Sequence, residues 1–189
     1  MLLLWFIFGY VYVTQADPED YQAIFERLRL AYYAKHLVAD KPAPIFSVGK
    51  YNRTANVLNA SLVLLEDLDG REIVSTTKAF LYLNNRYKFT GIQLKVNVCE
   101  MWMKNLYGIR DIMEPCGNIQ LCDIKKGPLY IRNFWPNPKY FPKTIPVGSY
   151  KIELHSNLLN GTKLVQINWY GKAELYFEEM RNKDVINEP

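Results

Sequence analysis

Apolar and polar residues alternate along much of this chain, and this period of two constrains its fold more than any other feature. Within residues 92–98, Ile92, Leu94 and Val96 occupy every second position and polar residues lie between them. Residues 165–177 repeat the pattern near the C-terminal end. Side chains alternate between the two faces of a β-strand, so the pattern is typical of strands with one buried face. The sequence therefore predicts a mainly β protein.

Turn signals separate the predicted strands. Asp67-Leu68-Asp69-Gly70 predicts a hairpin turn, and Asn84-Asn85 ends the strand-like run at 72–83. Residues 18–37 fit helical spacing and strand alternation equally well, so both structures stay open for this segment.

One segment changes its period. Within residues 100–113, Trp102, Leu106, Ile109 and Met113 follow one another at spacings of four, three and four. This spacing predicts an amphipathic helix of three to four turns. We therefore expect an antiparallel β-sandwich, opened into a β-cup, with one amphipathic helix and a bend rich in cysteine beside it.

The first 16 residues contain no charged side chain and end in the small residue Ala16. An apolar segment of this length followed by a small residue is typical of a signal peptide, whereas a membrane-spanning helix needs about 20 apolar residues. The predicted organisation is a signal peptide at 1–16, a single β-cup domain at 17–180 and a polar tail at 181–189.

Three Asn-x-Ser/Thr sequons agree with passage through the secretory pathway. The sequence thus predicts a secreted, extracellular glycoprotein. Its expected glycosylation sites are Asn52, Asn59 and Asn160.

All three cysteines lie between positions 99 and 122, and an extracellular compartment permits a disulfide. A bond between Cys99 and Cys122 would tie the helical segment between two strands. A bond between Cys116 and Cys122 fits the spacing as well. The residues alone leave this choice open.

Several classes of function fit the sequence poorly. A net charge of +4 without a basic run argues against a nucleic acid partner, although weak attraction to an anionic membrane remains open. The only histidines are His36 and His155, and no nucleophile elbow or zinc-protease motif is present. We expect no enzyme activity, no cofactor and no metal site.

A loop rich in proline and aromatic residues follows the strand that ends near position 134. Trp135, Tyr140 and Phe141 either fill the end of the sandwich or form the rim of a cavity that faces an apolar ligand or a membrane. Trp102 and Trp169 are candidates for the lining of the same cavity.

Three motifs in order resemble one family. They are Cys99-Glu-Met-Trp-Met-Lys-Asn-Leu-Tyr107, Cys122-Asp-Ile-Lys-Lys-Gly127-Pro-Leu-Tyr130 and Ile145-Pro-Val-Gly148-Ser-Tyr150. The set resembles insect secreted proteins that include the chemosensory CheB type, which are distantly similar to the ganglioside GM2 activator. The likeness covers about residues 57–177.

The resemblance implies that Cys99 pairs with Cys122 and that a β-cup holds a lipid acyl chain, with residues 134–146 at its rim. Two departures from the family pattern are Asp123, where proline is common, and Cys116, which lacks a partner. The ligand-binding residues expected on these grounds are Trp102, Phe134, Trp135, Tyr140, Phe141, Ile145 and Trp169.

The predicted function is a secreted carrier of a lipid or another apolar small molecule, and the resemblance places it in insect chemosensation, in a pheromone or gustatory response. The alternative is a secreted co-receptor or structural partner of a membrane protein, without a bound lipid. A transient contact with a membrane or a sensory receptor is compatible with both.

Overall fold

A computed structural model describes residues 21–53, 56–135 and 145–175 of the chain. The described residues form ten strands: β1 Tyr21–Tyr33, β2 Ile45–Lys50, β3 Asn56–Leu64, β4 Leu68–Asp69, β5 Ile73–Leu83, β6 Arg86–Asn97, β7 Asp123–Ile124, β8 Gly127–Phe134, β9 Gly148–Leu158 and β10 Lys163–Leu175. Two short helices, α1 Val98–Met103 and α2 Ile109–Met113, lie between β6 and β7. The predicted signal peptide and the predicted tail at 181–189 both lie outside the described residues.

The strands form two main antiparallel sheets. Sheet A has five strands in the order β1-β10-β9-β5-β6, and sheet B has three in the order β2-β3-β8. Strands β4 and β7 form a small third pair. The predicted antiparallel β-sandwich is confirmed, and sheet A is wider than sheet B by two strands.

The segment that was ambiguous near the N-terminus is a strand. β1 pairs with β10 along its whole length, from Tyr21 opposite Leu175 to Tyr33 opposite Val165. Its backbone hydrogen bonds are thereby made to β10, whereas an isolated helix of this length would be only marginally stable. Tertiary pairing therefore decides the structure here.

Strands β5 and β6 form a tight hairpin. Asn84 and Asn85 connect them with φ angles of 52° and 62°. Asparagine tolerates this left-handed region better than most residues, and two-residue hairpin turns require it. The predicted end of the strand at this point is confirmed.

The hairpin turn predicted at positions 67–70 is not present, because Leu68–Asp69 form β4, which pairs with β7, and Gly70–Glu72 form a short 3-10 helix. β3 pairs with β2 and β8, whereas β5 pairs with β6 and β9, so the chain crosses here from sheet B to sheet A. The Oδ1 of Asp67 accepts a hydrogen bond from the backbone N–H of Lys126 at 2.8 Å. Residues such as Asp and Gly also occur in connections between two sheets, so they did not distinguish a hairpin from a crossover. The predicted hairpin was wrong for that reason.

Strand β6 was correctly predicted as a strand, but its buried face was not. Ile92 is 50% exposed and Leu94 is 36% exposed. β6 lies at the edge of sheet A, where its main neighbours are β5 and α1 rather than a strand of sheet B. Its apolar side chains are exposed because the narrower sheet does not cover them.

The predicted helix is interrupted. α1 ends at Met103, and Asn105, Tyr107 and Gly108 follow with φ angles of 49°, 57° and 63°. The Oδ1 of Asn105 accepts a hydrogen bond from the backbone N–H of Arg110 at 3.1 Å, so Asn105 caps the start of α2. The prediction of one continuous helix was wrong because left-handed residues and this cap favour two short helices.

The disulfide joins Cys99 to Cys122, as the resemblance implied. It ties the first turn of α1 to the residue before β7. Cys116 is free and half-buried, and burial raises the pKa of its thiol. The alternative pairing between Cys116 and Cys122 is therefore wrong.

Candidate ligand cavity

A cavity of about 420 Å³ lies between sheets A and B. Both sheets and both helices contribute to its walls, in which apolar residues predominate. The volume falls within the range of small-molecule binding sites in proteins.

Sheet A supplies one wall from the strand positions that face sheet B. Leu28 and Leu30 come from β1, and Ile167 and Trp169 come from β10. Leu154 on β9 continues the wall. These residues share a face because alternate side chains of a strand point the same way.

Sheet B and the helical segment supply the opposite wall and one side. Leu62 on β3 pairs with Leu129 on β8, and both line the cavity. Met101 and Met113 contribute from α1 and α2. Methionine is flexible and polarisable, so it adapts to the shape of an apolar occupant.

One end of the cavity is closed by buried side chains at the ends of several strands. Leu64 ends β3, Ile73 begins β5 and Leu164 lies near the start of β10. The full cluster consists of Ala34, Leu37, Val38, Leu64, Ile73, Val98 and Leu164. A ligand cannot enter there without disrupting this core.

The other end lies where β8 finishes. Phe134 pairs with Leu58, whereas Gly127 at the start of β8 pairs with Leu64 in the closing cluster. Phe134 also lines the cavity. The chain then continues into residues 136–144, which lie outside the described residues.

Four polar side chains interrupt the apolar face of sheet A. Ser75 and Ser156 lie opposite each other on β5 and β9, and both line the cavity. Trp169 is the third, and its indole Nε1 is buried without a hydrogen-bond partner among the described residues. Tyr33 also lines the cavity, but its hydroxyl donates to the Oδ1 of Asp40 at 2.5 Å.

The described part of the cavity wall is electrically neutral. It contains no lysine, arginine, histidine, aspartate or glutamate. The hydrogen bond to Asp40 raises the pKa of Tyr33 above its ordinary value, so this phenol is also uncharged near neutral pH. The site therefore suits an uncharged apolar molecule better than an ion.

The structure brings together only some of the predicted ligand-binding residues. Phe134 and Trp169 line the cavity. Trp102 is buried in α1 but is not part of the cavity wall, to which its neighbour Met101 contributes instead. Ile145 is half-buried and also lies outside the wall.

The remaining aromatic candidates lie away from the described cavity. Trp135 is 43% exposed and borders a separate surface depression with Tyr51 and Arg132. Tyr140 and Phe141 fall outside the described residues. Whether these three contact a ligand stays a prediction.

The residues that sequence reasoning missed are the inward strand positions. Leu154 and Ile167 belong to predicted alternating strands, but such residues usually form an ordinary core. One feature of the sequence could have indicated a cavity. Ser75 and Ser156 are small polar residues on strand faces whose other members are mainly apolar. A solid core fills such positions with larger apolar side chains.

The three sequons occupy different environments. Asn52 and Asn160 are exposed. Asn59 is half-buried on β3 and is one of the residues that border the cavity. Its Oδ1 accepts a hydrogen bond from the backbone N–H of Asn133 at 3.0 Å. Glycosylation at each of them stays a prediction.

Comparison with known proteins gives two likenesses. Residues 74–152, which run from β5 into β9, match a family model described as "Protein of unknown function (DUF1091)". No curated protein matches the chain significantly. Among solved structures, the chain is similar to the one described as "Crystal structure of chicken MD-1 complexed with lipid IVa". That likeness has 17% sequence identity and a TM-score of 0.38, and it covers 83% of this chain and 98% of that chain. The relationship to CheB-type proteins stays a prediction.

Proposed function

We propose that this protein is a secreted carrier that holds one apolar small molecule between sheets A and B. The observation that carries the proposal is the cavity of about 420 Å³, whose described walls are apolar and without charge. A closed core at one end and the end of β8 at the other give the cavity the form of a cup.

Burial supplies the binding energy. Each methylene group that leaves water contributes about 0.8 kcal/mol. Micromolar affinity corresponds to about 8 kcal/mol, so the burial of about ten methylenes supplies a free energy of that size. Binding of this kind needs no catalytic group and accepts ligands of related shape.

Filling a cavity of this size would also stabilise the fold. Cavities cost about 24 cal/mol per Å³, so a void of 420 Å³ would cost on the order of 10 kcal/mol. Whole domains are stable by only about 5–15 kcal/mol. An occupant that replaces lost contacts between the sheets would stabilise the fold substantially.

The extracellular setting is part of the proposal. The disulfide between Cys99 and Cys122 suits an oxidising compartment. Among the described residues, neither helix has the length and apolar character that a membrane crossing requires. The resemblance to CheB-type proteins supports insect chemosensation as the setting, with a pheromone or a gustatory compound as the ligand.

Two measurements test the carrier role. Organic extraction of the purified native protein, followed by mass spectrometry, should recover an apolar compound in roughly stoichiometric amount. Binding of the fluorescent probe N-phenyl-1-naphthylamine should be saturable and should fall strongly in Ser156→Phe, which places a ring in the cavity.

Thr76→Phe is the matched control for Ser156→Phe. Thr76 lies next to Ser75 on β5 and therefore points to the other face of sheet A. It should bind the probe like the wild type. An empty extract together with no saturable probe binding would show that the protein is not a carrier.

A second candidate function rests on strand β6. Phe89, Ile92 and Leu94 are exposed apolar residues on an edge strand, and such edges attract partner proteins. This observation favours a co-receptor or structural partner of a membrane protein. In that case Ile92→Lys should abolish recovery of a membrane protein from sensory tissue without changing probe binding.

A further inference from the structure

Two serine hydroxyls lie near the closed end of the cavity. Ser75 on β5 is directly opposite Ser156 on β9, and both line the cavity. Ile73 and Leu158 form the next pair on the same face, and they lie in or against the closing cluster. At a rise of about 3.3 Å per residue, the serine pair is only about 7 Å from that pair. The serine pair is therefore at the bottom of the cup.

The hydroxyls of the serine pair have no hydrogen-bond partner within the described part of the chain. Ser75 is only 6% exposed, so its side chain is shielded from bulk water. The Nε1 of Trp169 is fully enclosed by the wall, but the hydroxyl of Ser75 is not, so an occupant of the cavity can reach it. Buried polar groups are nearly always hydrogen-bonded, because an unmade bond in an apolar site is costly. A partner for the serine pair has to come from the contents of the cavity.

The other hydroxyls of the cavity wall are in different positions. The hydroxyl of Tyr33 donates to the Oδ1 of Asp40. Ser61 and Tyr130 lie opposite each other on sheet B and also border the cavity. Tyr130 is 39% exposed and borders the surface depression as well, so water reaches this second pair. The serine pair is the more buried of the two.

The geometry of the serine pair suits one neutral hydroxyl of a ligand. Opposed residues of antiparallel strands have Cβ atoms about 5 Å apart. A ligand hydroxyl between them accepts a hydrogen bond from one serine and donates to the other, because every hydroxyl is both a donor and an acceptor. Leu154 and Ile167 continue the wall towards the other end and offer no polar side chain. A hydroxyl placed against them would be buried without a partner.

We propose that the ligand is a chain-like molecule with a neutral hydroxyl at one end, and that this end lies innermost, between Ser75 and Ser156. Its alkyl chain then follows the apolar wall towards the end of β8. Long-chain primary alcohols have this chemistry, whereas an ionised fatty acid would bury a charge in a wall that has no counter-ion among its described residues. The inference rests on the proposed carrier function and specifies the ligand and its orientation in the same cavity.

The test uses the purified native protein and displacement of N-phenyl-1-naphthylamine. The competitors are a primary alcohol, its isomer with the hydroxyl at the middle of the chain, and the alkane of the same length. Both alcohols lose the hydration of one hydroxyl, so their difference reports where that hydroxyl lies in the cavity. In the wild type, the primary alcohol should compete about tenfold more strongly than its isomer, since a buried hydrogen bond made or lost is worth about that factor.

Three variants assign the effect to the serine pair. In the double variant Ser75→Ala, Ser156→Ala, the two alcohols should compete equally, while the affinity for the alkane stays within about twofold of the wild type. Thr76→Val is the matched control, because Thr76 follows Ser75 and points to the outer face of sheet A. Ser61→Ala removes the competing hydroxyl of sheet B. Both of these variants should keep the wild-type preference for the primary alcohol.

Each alternative result has a distinct meaning. Equal competition by the two alcohols in the wild type would overturn the inference, as expected if the serine pair binds only water, and would leave the carrier function intact. A preference that survives in the double variant, or that disappears in Ser61→Ala, would also overturn it. Failure of the probe and of all three competitors to bind would remove the carrier function itself.

Two measurements on the wild type cover the case in which the double variant fails to fold. The comparison of the isomeric alcohols needs no variant. Silylation of the organic extract before mass spectrometry should reveal a compound with a free hydroxyl. An extract that contains only unsubstituted hydrocarbons would overturn the inference and still support a carrier.

Discussion

The ammonium of Lys151 lies 2.8 Å from the Oε1 of Glu153 on the outer face of sheet A, and each side chain is only 18% exposed. Lys151 also lies 4.3 Å from the ring centroid of Phe80 on the neighbouring strand. The second carboxylate oxygen of Glu153 lies 3.3 Å from the Nε2 of His155. The outer face of sheet A therefore carries a chain of partly buried polar side chains, whereas its inner face, which lines the cavity, is mainly apolar.

Glu153→Gln should lower the free energy of unfolding by about 1 kcal/mol at pH 7, because the ion pair is partly shielded from water. Desolvation raises the pKa of Glu153, but the hydrogen bonds from Lys151 and His155 outweigh it and the pKa is lowered overall. A carboxylate with a lowered folded-state pKa stabilises the fold above its unfolded pKa, near 4.5. This stabilisation disappears as pH falls through the folded-state value.

The difference in stability between wild type and Glu153→Gln should therefore shrink as the pH is lowered from 6 towards about 3. Urea unfolding at a series of pH values measures it. A difference that stays constant over this range would mean that the carboxylate charge does not stabilise the fold.

The double variant Cys99→Ser, Cys122→Ser should lose about 3 kcal/mol of stability, because the bond closes a loop across 23 residues. Cys116→Ser is the control and should be close to neutral, since that thiol is unpaired. Denaturant unfolding under non-reducing conditions gives both values. Equal losses in the two proteins would contradict a structural role for this bond.

Gly70→Ala should destabilise the fold by more than about 2 kcal/mol. A Cβ at position 70 would lie 1.7 Å from the backbone oxygen of Leu121, so the crossover between the sheets would have to move. Gly91→Ala is the control, because its φ is +86° but the space around it is open. It should cost about 1 kcal/mol through backbone strain alone. A smaller loss at Gly70 than at Gly91 in thermal unfolding would refute the close contact.

Asn105→Ala should cost about 1 kcal/mol, because Asn105 hydrogen-bonds the N–H of Arg110 at 3.1 Å and the side chain of Asp111 at 2.7 Å. Asn105→Gly keeps the left-handed backbone and loses only the cap, so it should be the milder change. Unfolding midpoints of the two variants separate the two contributions. Equal losses of stability in Asn105→Ala and Asn105→Gly would mean that the lost cap, and not the left-handed backbone, accounts for the whole effect.

Phe134→Ala should weaken probe binding more than Trp135→Ala does. Phe134 lines the cavity, whereas Trp135 is exposed at the separate depression. Removing a ring from an apolar site typically costs about 1–3 kcal/mol of binding, which is roughly 5- to 150-fold in affinity. Fluorescence titration with N-phenyl-1-naphthylamine measures both variants. The reverse order would place the ligand against Trp135.

Alternation predicted most of the strands because it reports a local property, namely which side chains share a face. It identified Ile167 and Trp169 as members of one face, and the structure confirms that both face the cavity. The same reasoning assigned a buried face to Ile92 and Leu94, where it was wrong. Local alternation carries no information on whether an opposing sheet reaches that face.

The cysteine pairing was predictable from the ordered motifs, whereas the break in the helix was not. Gly108 weakened the predicted helix, but only the structure shows that Asn105 caps a second helix after the interruption. The crossover from sheet B to sheet A at positions 67–70 could not be predicted from the sequence either. Its turn residues look the same in sequence whether the next strand pairs with the last one or joins another sheet.

The amino-acid sequence by itself determined that this chain forms antiparallel strands joined by specific turns, because strand periodicity and turn chemistry act over a few residues. The tertiary structure decided that the sandwich is hollow and that the indole N–H of Trp169 is buried without a hydrogen-bond partner among the described residues. Both features depend on how far apart two sheets of unequal width lie, and that distance is set by contacts between residues far apart in the chain.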